Sequence, residues 1–293
     1  MRFLILAHQG DETAIRVYAR LRSRHPPDQV KLVSSEELVY APHWSHRLGA
    51  SPPATEITLA DRTALTSGDL GVVFNRLRYV HMPHFELASQ ADRDFAVMEM
   101  YALWLSWLEG LPCPVINPAS ARGLGGQDRS PVEWLSLASQ AGLPTQGYAF
   151  SSDPRAFHPK DYTPYWRDQA YDEDGLLIMK EIPPMLAGRH PTFYAQPPGE
   201  KRAEMFVVGD LVIGELADRF ARQLVHFARL AGCAWLKITF AQSADQNQGL
   251  ASLDQPASQD CAWAVCKVSA FPQARHPQVI EALVDLLEAR VAG

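Results

Sequence analysis

The chain has 293 residues, of which 47% are hydrophobic, and it carries a formal net charge of −6. This composition is typical of a globular protein with one large domain or two to three smaller domains packed together. It argues against a nucleic-acid-binding protein, because such proteins usually carry a basic stripe.

Neither of the most apolar stretches predicts a membrane protein. The N-terminal run MRFLILAHQGDE meets polar residues too early for a signal peptide. The longest apolar segment, Phe95 to Leu108, contains Glu99 and is too short to span a bilayer. We therefore expect a cytoplasmic protein without membrane segments.

The cysteines form no CxxC pair, so a cysteine metal site is not predicted. Cys261 and Cys266 lie an odd number of residues apart in a predicted strand, and their side chains should therefore face opposite sides. We expect buried, reduced thiols, as is usual in the cytosol, at all four positions. These are Cys113, Cys233, Cys261 and Cys266.

The first half of the chain predicts strands that alternate with helices. RFLILAH, VKLVS, LGVVFNRL and CPVIN are apolar runs typical of buried parallel strands. Helices are predicted after the first run, at Ser34 or Ser35, from about Asp92 to Glu109, and from Ser130 to Gly142. Such alternation predicts a small parallel α/β domain. No GxGxxG follows the first strand, so no dinucleotide site is predicted.

The second half has a different character. Between Tyr148 and about Glu200 the chain is rich in proline, aromatic residues and charges, and only GLLIMKEI and TFYAQ predict strands. AEMFVVGDLVIGEL predicts a hairpin that turns at Gly209-Asp210. A helix follows, with an apolar stripe at helical spacing. The stripe consists of Leu216, Phe220, Leu224, Phe227 and Leu230. CAWLKITFA and WAVCKVSAFP then predict strands on either side of a polar connection, and a helix follows the second strand.

Five of these motifs, in this order, resemble the ATP-grasp superfamily. They are VIN, AGLPT, VVGDLVIGEL, WLKITFA and WAVCKVSAFP. The order is most similar to the group of ribosomal-protein glutamate ligases and peptide-modifying ligases, and it covers most of the chain. The resemblance implies an ATP-grasp-like fold of α/β and α+β class, in which an N-terminal α/β (pre-ATP-grasp) domain is followed by two β-containing lobes. The implied boundaries are residues 1–145, a reduced central lobe at 146–205 and a C-terminal lobe at 206–293.

The resemblance also implies a metal site that this chain does not match. In the family, ATP lies between two β-layers with Mg²⁺ on its phosphates, and the ligands of Mg²⁺ are hard oxygen atoms. Lys267 and Ser269 stand where the family has a glutamate and an asparagine, and Thr239 stands where an acid is usual. Glu204 stands where the family has an arginine, although Lys201 and Arg202 are nearby.

The ligand-binding candidates are cations and one serine, because an anionic ligand needs counter-charges and hydrogen-bond donors. Arg76 ends a predicted parallel strand, where α/β sheets usually contact ligands, and the alternative is an arginine in a surface salt bridge. Lys180 matches a family lysine that contacts nucleotide phosphate, and the alternative is a lysine on a solvated strand face. Lys237 and Lys267 could form a cationic pocket, or both could extend to solvent. The full candidate set is Arg76, Lys180, Arg202, Lys237, Lys267 and Ser269.

Two other sequence patterns give weaker evidence of function. The HxxH pairs His43/His46 and His81/His84 lack a third ligand nearby in the sequence, so no metal is predicted there. The aromatic residues between Phe157 and Tyr171 could cover a ligand or could pack the central section.

The sequence leaves three functions open. The first is a divergent ATP-grasp protein with reduced or lost ligase activity, which acts as a binding or accessory partner in a biosynthetic or peptide-modification pathway. The second is an active ATP-dependent carboxylate–amine ligase that uses ATP and Mg²⁺ and has relocated metal ligands, for which Glu215, Asp254 and Asp260 are the nearest acids. The third is an α/β protein that binds a small anion. The expected partners are a protein or peptide and a small anionic ligand, with a homo-oligomer left open.

Overall fold

The computed structural model describes residues 1–49, 54–126, 128–153, 163–171, 177–181, 192–196, 199–242 and 263–292. The chain divides into two compact units. The first contains Met1–Asp128, Gly232–Trp235 and Gln273–Gly293, and the second contains Arg129–Ala231 and Leu236–Pro272. The three-domain boundaries drawn from the sequence stay a prediction.

Six α-helices lie within these ranges: α1 (Glu12–Arg24), α2 (Ser35–Val39), α3 (Gln90–Glu109), α4 (Pro131–Gln140), α5 (Ala217–Ala231) and α6 (Pro277–Ala292). The strands of the first unit are β1 (Phe3–Ala7), β2 (Val30–Ser34), β3 (His43–Arg47), β4 (Ala54–Thr58), β5 (Ala64–Thr66), β6 (Val72–Arg76) and β7 (Val115–Ile116). The remaining strands are β8 (Tyr148–Ser151), β9 (Thr163–Tyr171), β10 (Leu177–Glu181), β11 (Thr192–Ala195), β12 (Arg202–Val208), β13 (Leu211–Ile213), β14 (Trp235–Gln242) and β15 (Trp263–Ser269).

A parallel sheet forms the centre of the first unit. Its strand order is β2-β1-β6-β7, and every neighbouring pair is parallel. All five residues of β1 and of β6 are buried, which explains why β1 and the first three residues of β6 are apolar without alternation. The predicted parallel α/β arrangement of the N-terminal part is present.

Local sequence signals define where the helices of the first unit begin. Asp11 caps α1 by accepting a hydrogen bond from the Ala14 amide at 2.9 Å. Ser34 and Glu37 form a reciprocal capping box at α2. Helix α6, from the far end of the chain, packs on α1 and β6. The first unit therefore needs residues from both ends of the sequence.

The first unit also contains a small antiparallel sheet, in the order β3-β4-β5. The sequence did not predict these strands, because β3 is the polar segment HWSHR and β5 has only three residues. Ile57 and Leu65 are buried in the same core cluster as Trp104 and Trp107 of α3. The small sheet therefore covers part of the core that α3 completes.

Within its described residues, the second unit contains two four-stranded sheets. One has the order β10-β9-β11-β8 and the other the order β13-β12-β14-β15. The first of them includes β8 and the nine-residue β9, which the sequence did not predict, beside the predicted β10 and β11. The hairpin of β12 and β13 turns at Gly209-Asp210 as predicted, and Gly209 takes a φ of 60° there.

Helices α4 and α5 pack against one face of the sheet that contains β12, β14 and β15. Ser130 and Glu133 form a capping box at α4, Pro131 occupies its first position, and Gly142 follows the helix with a φ of 77°. Phe220 of α5 stacks on Phe240 of β14 with ring centroids 5.0 Å apart. The prediction is wrong for one member of the α5 stripe, because Leu230 is exposed rather than buried.

No helix within the described ranges is long and apolar enough to cross a membrane.

Candidate ligand-binding face

Strand alternation gives the sheet of β12, β14 and β15 one apolar face and one polar face. In β12, Ala203, Met205 and Val207 are buried, whereas Arg202 and Glu204 are exposed. The side chains that point away from α4 and α5 form what we call the polar sheet face. It consists of Arg202, Glu204, Lys237, Thr239, Lys267 and Ser269.

The register of β14 and β15 places four of these residues in two adjacent cross-strand pairs. Lys237 pairs with Ser269, and Thr239 pairs with Lys267. Residues that are directly opposite in an antiparallel pair share a face, with Cβ atoms about 5 Å apart. The three positions that depart from the family pattern are therefore neighbours on one face of the sheet.

Lys237 is buried on this face, with only 6% of its surface exposed. Its Nζ lies 3.3 Å from Glu204 Oε1, while more than half of the Glu204 side chain remains in contact with solvent. A buried ammonium without a counter-charge would be costly, so this ion pair makes the burial of Lys237 tolerable. Extension of Lys237 to solvent, the alternative considered from the sequence, does not occur.

A β-bulge at Cys266 sets the direction of the neighbouring side chains. The register shifts between Thr239 and Phe240, so that Lys267 pairs with Thr239 but Val265 pairs with Phe240. Simple alternation would put Val265 on the same face as Lys267, and that expectation is wrong. Instead, Val265 is fully buried, on the face that carries Phe240.

The bulge also gives Cys266 a polar environment. Arg202 Nη1 donates to Cys266 Sγ at 3.1 Å, and the thiol donates to the Thr239 carbonyl at 3.4 Å. Burial raises the pKa of the Cys266 thiol, and Arg202 opposes that shift. The residue is therefore a neutral thiol at physiological pH, and not a thiolate ligand for a metal.

Ser269 closes β15. Its side chain is buried, and Oγ accepts a hydrogen bond from the Phe271 amide at 3.1 Å. This local bond from a serine to the amide two residues later is typical of a turn. The serine oxygen thus has a structural role at the position where the resemblance described above implies an asparagine.

The polar sheet face does not fit a magnesium ion. Three of its side chains are cations and one is a carboxylate, and that carboxylate is paired with Lys237. Mg²⁺ requires oxygen ligands in near-octahedral geometry, usually with at least one carboxylate. Within the part of the chain that the structure describes, no group of three His, Cys, Asp or Glu side chains could hold a metal ion.

The other two candidates lie elsewhere. Arg76 is buried in the first unit, and its Nε donates to Asp11 Oδ2 at 2.8 Å. Asp11 is itself the cap of α1, so Arg76 has a counter-charge within the fold. Lys180 occupies β10, where it pairs with Trp166 of β9 in the register. The structure thus groups four of the six candidates, and ligand binding by any of them stays a prediction.

One histidine of each HxxH pair has side-chain contacts within the fold. His46 bonds to Thr55 Oγ1 at 2.8 Å and to Ser106 Oγ at 2.9 Å, which links β3 to β4 and α3. His84 packs against Tyr40 and Phe85.

Of the acids considered as replacement metal ligands, Glu215 is exposed and follows β13. Asp254 and Asp260 lie outside the described residues, as do Phe157 and Tyr162 of the aromatic segment.

Sequence reasoning missed the role of Asn117, the last residue of the VIN motif. Its Oδ1 accepts from the amides of Ala234 and Trp235, both at 3.1 Å, and its Nδ2 donates to the Trp235 carbonyl at 2.8 Å. The side chain thereby fixes the start of β14, the strand that carries Lys237 and Thr239. Asparagine is one of the few residues with a side chain that tolerate the φ of 54° found here.

No protein-family model matches the chain, and neither does any curated protein. Solved structures do match. The macrocyclase MdnC of Microcystis aeruginosa MRC, bound with precursor peptide MdnA, is similar over 99% of this chain and 100% of its own, with a TM-score of 0.74 and 13% identity. A RiPP-associated ATP-grasp ligase of Chryseobacterium gregarium, in complex with ADP and a leader and core peptide, covers 99% of this chain and 97% of its own, with a TM-score of 0.69 and 12% identity.

A third structure, the ATP-grasp ligase PsnB complexed with minimal precursor, Mg and ADP, covers 99% of this chain and 98% of its own, with a TM-score of 0.70 and 18% identity. Similarity at such low identity shows the fold. The predicted ATP-grasp-like fold of α/β and α+β class is therefore confirmed.

Proposed function

We propose that this ATP-grasp-fold chain has reduced or lost ligase activity and serves as a binding or accessory partner in a cytoplasmic peptide-modification pathway. The peptide part of the proposal is supported by the solved structures of the same fold, since three of those proteins are complexed with precursor peptides or with leader and core peptides. The loss of ligase activity is supported by the chain's own residues.

The observation that carries the proposal is the exchange of charges on the polar sheet face. Lys267 stands in place of a glutamate that would hold Mg²⁺, and Glu204 stands in place of an arginine that would meet phosphate. Glu204 instead pairs with Lys237 at 3.3 Å. Both changes oppose Mg·ATP, because the first repels the metal and the second repels the phosphates.

Coulomb energies indicate that the first change alone is severe. A lysine ammonium about 4 Å from a divalent cation is repelled by on the order of 8 kcal/mol at an effective dielectric constant of ~20. Typical ligand affinities in the micromolar range amount to about 8 kcal/mol. A metal-bridged nucleotide would therefore have to move Lys267 away before it could bind.

The direct test is titration calorimetry with ATP, with and without Mg²⁺. We expect the natural chain to show no magnesium-dependent binding in the micromolar range. The double variant Lys267→Glu, Ser269→Asn restores the oxygen ligands of the family pattern and should gain magnesium-dependent binding. Lys201→Glu, the same charge change at an exposed residue beside Trp263, is the matched control and should gain none.

Micromolar, magnesium-dependent binding by the natural chain would contradict the proposal and favour an active ligase with relocated metal ligands.

We expect the three cations of the polar sheet face to hold a small anion without metal, in place of Mg·ATP. Calorimetry with inorganic phosphate in the presence of EDTA tests this part. Binding that Lys267→Glu weakens at least tenfold would support it, and binding unchanged by that variant would exclude the face as the anion site.

A further inference from the structure

Helix α5 carries a row of basic side chains on its solvent side. They recur at intervals of three, four and three residues, a spacing that places them in one line along a helix. All of them are exposed, although the chain as a whole is acidic. They are Arg219, Arg222, His226 and Arg229. We call these four residues the α5 basic row.

The α5 basic row does not help the helix to form. Basic side chains three or four residues apart repel one another, and Arg219 lies in the first turn, where the helix dipole disfavours a cation. Arg24 on α1, in contrast, has three carboxylates around it. Among the described residues Arg222 has no carboxylate partner, and the one beside Arg229 is 75% exposed. A bound anionic partner would explain why these charges lie together.

A groove with a volume of about 550 Å³ lies along this row. Its lining within the described residues combines two half-buried apolar side chains with three members of the row. The apolar residues are Ala221 and Val225, and the basic ones are Arg222, His226 and Arg229. Pockets that bind ligands usually have volumes of about 300–1,000 Å³. The groove therefore has room for an apolar side chain with charged groups on either side of it.

We infer that this groove binds an extended acidic segment of a partner protein. Arginine suits carboxylates, because its planar guanidinium can donate two parallel hydrogen bonds to one of them. Arg222 and Arg229 are seven residues apart, which is about 10 Å along a helix. Acidic residues at positions i and i+3 of an extended segment are also about 10 Å apart. An apolar residue between those acids would contact Ala221 and Val225.

The groove fits a protein segment better than a nucleic acid. A protein that binds nucleic acid tightly neutralises about 6–10 phosphates, whereas this groove offers two arginines and one histidine. The net charge of −6 would also repel a long polyanion. The side chains of Ala221 and Val225 give a phosphate no hydrogen-bond donor, but they suit an aliphatic side chain.

This inference goes beyond the proposed function and does not depend on the loss of ligase activity. Helix α5 buries Phe220, Leu224 and Phe227 against the face of the sheet opposite to the polar sheet face. The double variant Arg222→Glu, Arg229→Glu should therefore give the same calorimetry with Mg·ATP and with phosphate as the natural chain. If Mg·ATP binding contradicts the proposed function, the test of the groove can still be interpreted.

Fluorescence anisotropy of a labelled peptide tests the inference. The probe consists of three Glu-Leu-Gly-Glu repeats, which place acids at i and i+3 around a leucine. We expect a Kd below about 100 μM at about 50 mM NaCl, and weaker binding as the salt concentration rises. Arg222→Glu, Arg229→Glu should weaken binding at least tenfold. The matched control reverses two exposed arginines outside α5, Arg16→Glu and Arg290→Glu, and should keep the Kd within about twofold.

Two altered probes test the groove without any change to the protein. A peptide with glutamine in place of every glutamate should not bind, because it lacks the carboxylates. A peptide with glycine in place of every leucine keeps all the charges and should bind at least fivefold more weakly, because nothing then fills the apolar part of the groove. Simple charge attraction would not distinguish this peptide from the original probe.

Four outcomes would overturn the inference. They are a natural chain that does not bind the probe, an equal loss of binding in the two double variants, equal binding of the peptides with leucine and with glycine, and tighter binding of a short single-stranded DNA than of the probe. The last result would assign the groove to nucleic acid. Near-UV circular dichroism of each variant separates loss of binding from loss of folding.

Discussion

At the scale of single residues, the side chain of Asn117 links the VIN motif to the start of β14, which belongs to a separate motif of the sequence. Its three hydrogen bonds to Ala234 and Trp235 fix the backbone that leads into β14. Asn117→Ala leaves those buried backbone groups unsatisfied in a left-handed conformation, and we expect a loss of about 3 kcal/mol in the free energy of unfolding.

Urea denaturation provides this measurement. Asn117→Gly loses the same hydrogen bonds but accepts the φ of 54°, so it should be more stable than Asn117→Ala by about 1 kcal/mol. An alanine variant with the stability of the natural chain would show that water replaces the side chain.

His8 has to be neutral in the folded protein. Its Nε2 accepts a hydrogen bond from the Arg78 amide at 3.0 Å, so Nδ1 carries the ring proton and donates to Ser35 Oγ at 2.9 Å. Burial lowers the pKa of His8 from 6.5 to about 4, although Glu36 and Asp11 oppose that shift. Between those two pH values the unfolded chain binds a proton that the folded chain does not, so stability falls as the pH falls.

We expect His8 to account for at most about 3 kcal/mol of that acid-induced loss. The check is the free energy of unfolding of the natural chain and of His8→Gln at about pH 7.5 and pH 4.5. The natural chain should lose more stability between the two values than the variant does. Equal losses would mean that carboxylates elsewhere account for the whole effect.

At the scale of elements, the sequence predicts best those parts that have strong local signals. Helix α4 begins at Pro131 after a Ser130 cap, and α3 begins within two residues of its predicted start. Strands β3 and β9 escaped prediction, because they lack alternating apolar residues and are held by pairing with neighbouring strands.

Some features of the candidate site could likewise be predicted from the sequence, and others could not. The adjacency of Thr239 and Lys267 follows from two motifs on strands that are neighbours in the fold. The ion pair of Lys237 with Glu204 could not be predicted, since it depends on β14 lying beside β12 rather than beside β13. Nor does the one-residue shift at Cys266 have a local signal, because cysteine occurs in regular strands as well as in bulges.

The contact between α1 and α6 rests in part on a charge network around Arg24. This side chain lies 2.5 to 2.9 Å from Glu281, Asp285 and Glu288, and the bond to Asp285 is the main reason that the pKa of Arg24 is raised. Since the network is only partly exposed, Arg24→Met should lower the free energy of unfolding by about 1 kcal/mol at low salt.

The effect should shrink by roughly half in 0.5 M NaCl, because salt screens such pairs. Arg229→Met is the control, since Arg229 pairs with Asp210 where both side chains are more than two thirds exposed. That variant should change stability by less than about 0.5 kcal/mol. A salt-independent loss at Arg24 would point to packing of its aliphatic part instead.

At the scale of the whole molecule, the first unit depends on a helix from the far end of the sequence. Helix α6 buries Val279, Leu283, Val284 and Leu287. At about 2 kcal/mol each, their removal costs on the order of 8 kcal/mol, which is comparable to the total stability of a typical domain. A chain that ends at Pro272 should therefore lose a native first unit, measurable as loss of amide hydrogen-exchange protection in β1. Retained protection in β1 would show that the parallel sheet is stable without α6.

The contribution of α6 to the first unit also determines when that unit can fold during synthesis. Residues 1–128 leave the ribosome early, but they lack their closing helix until Ala292 has been added. At ~5–20 residues per second, that interval lasts roughly 10 to 30 s. The apolar side of α1 and the outer surface of β6 stay uncovered during this time, whereas all of the second unit has been translated before α6 begins. The nascent protein should therefore complete its second unit first, and its N-terminal segment is the part that a chaperone would bind.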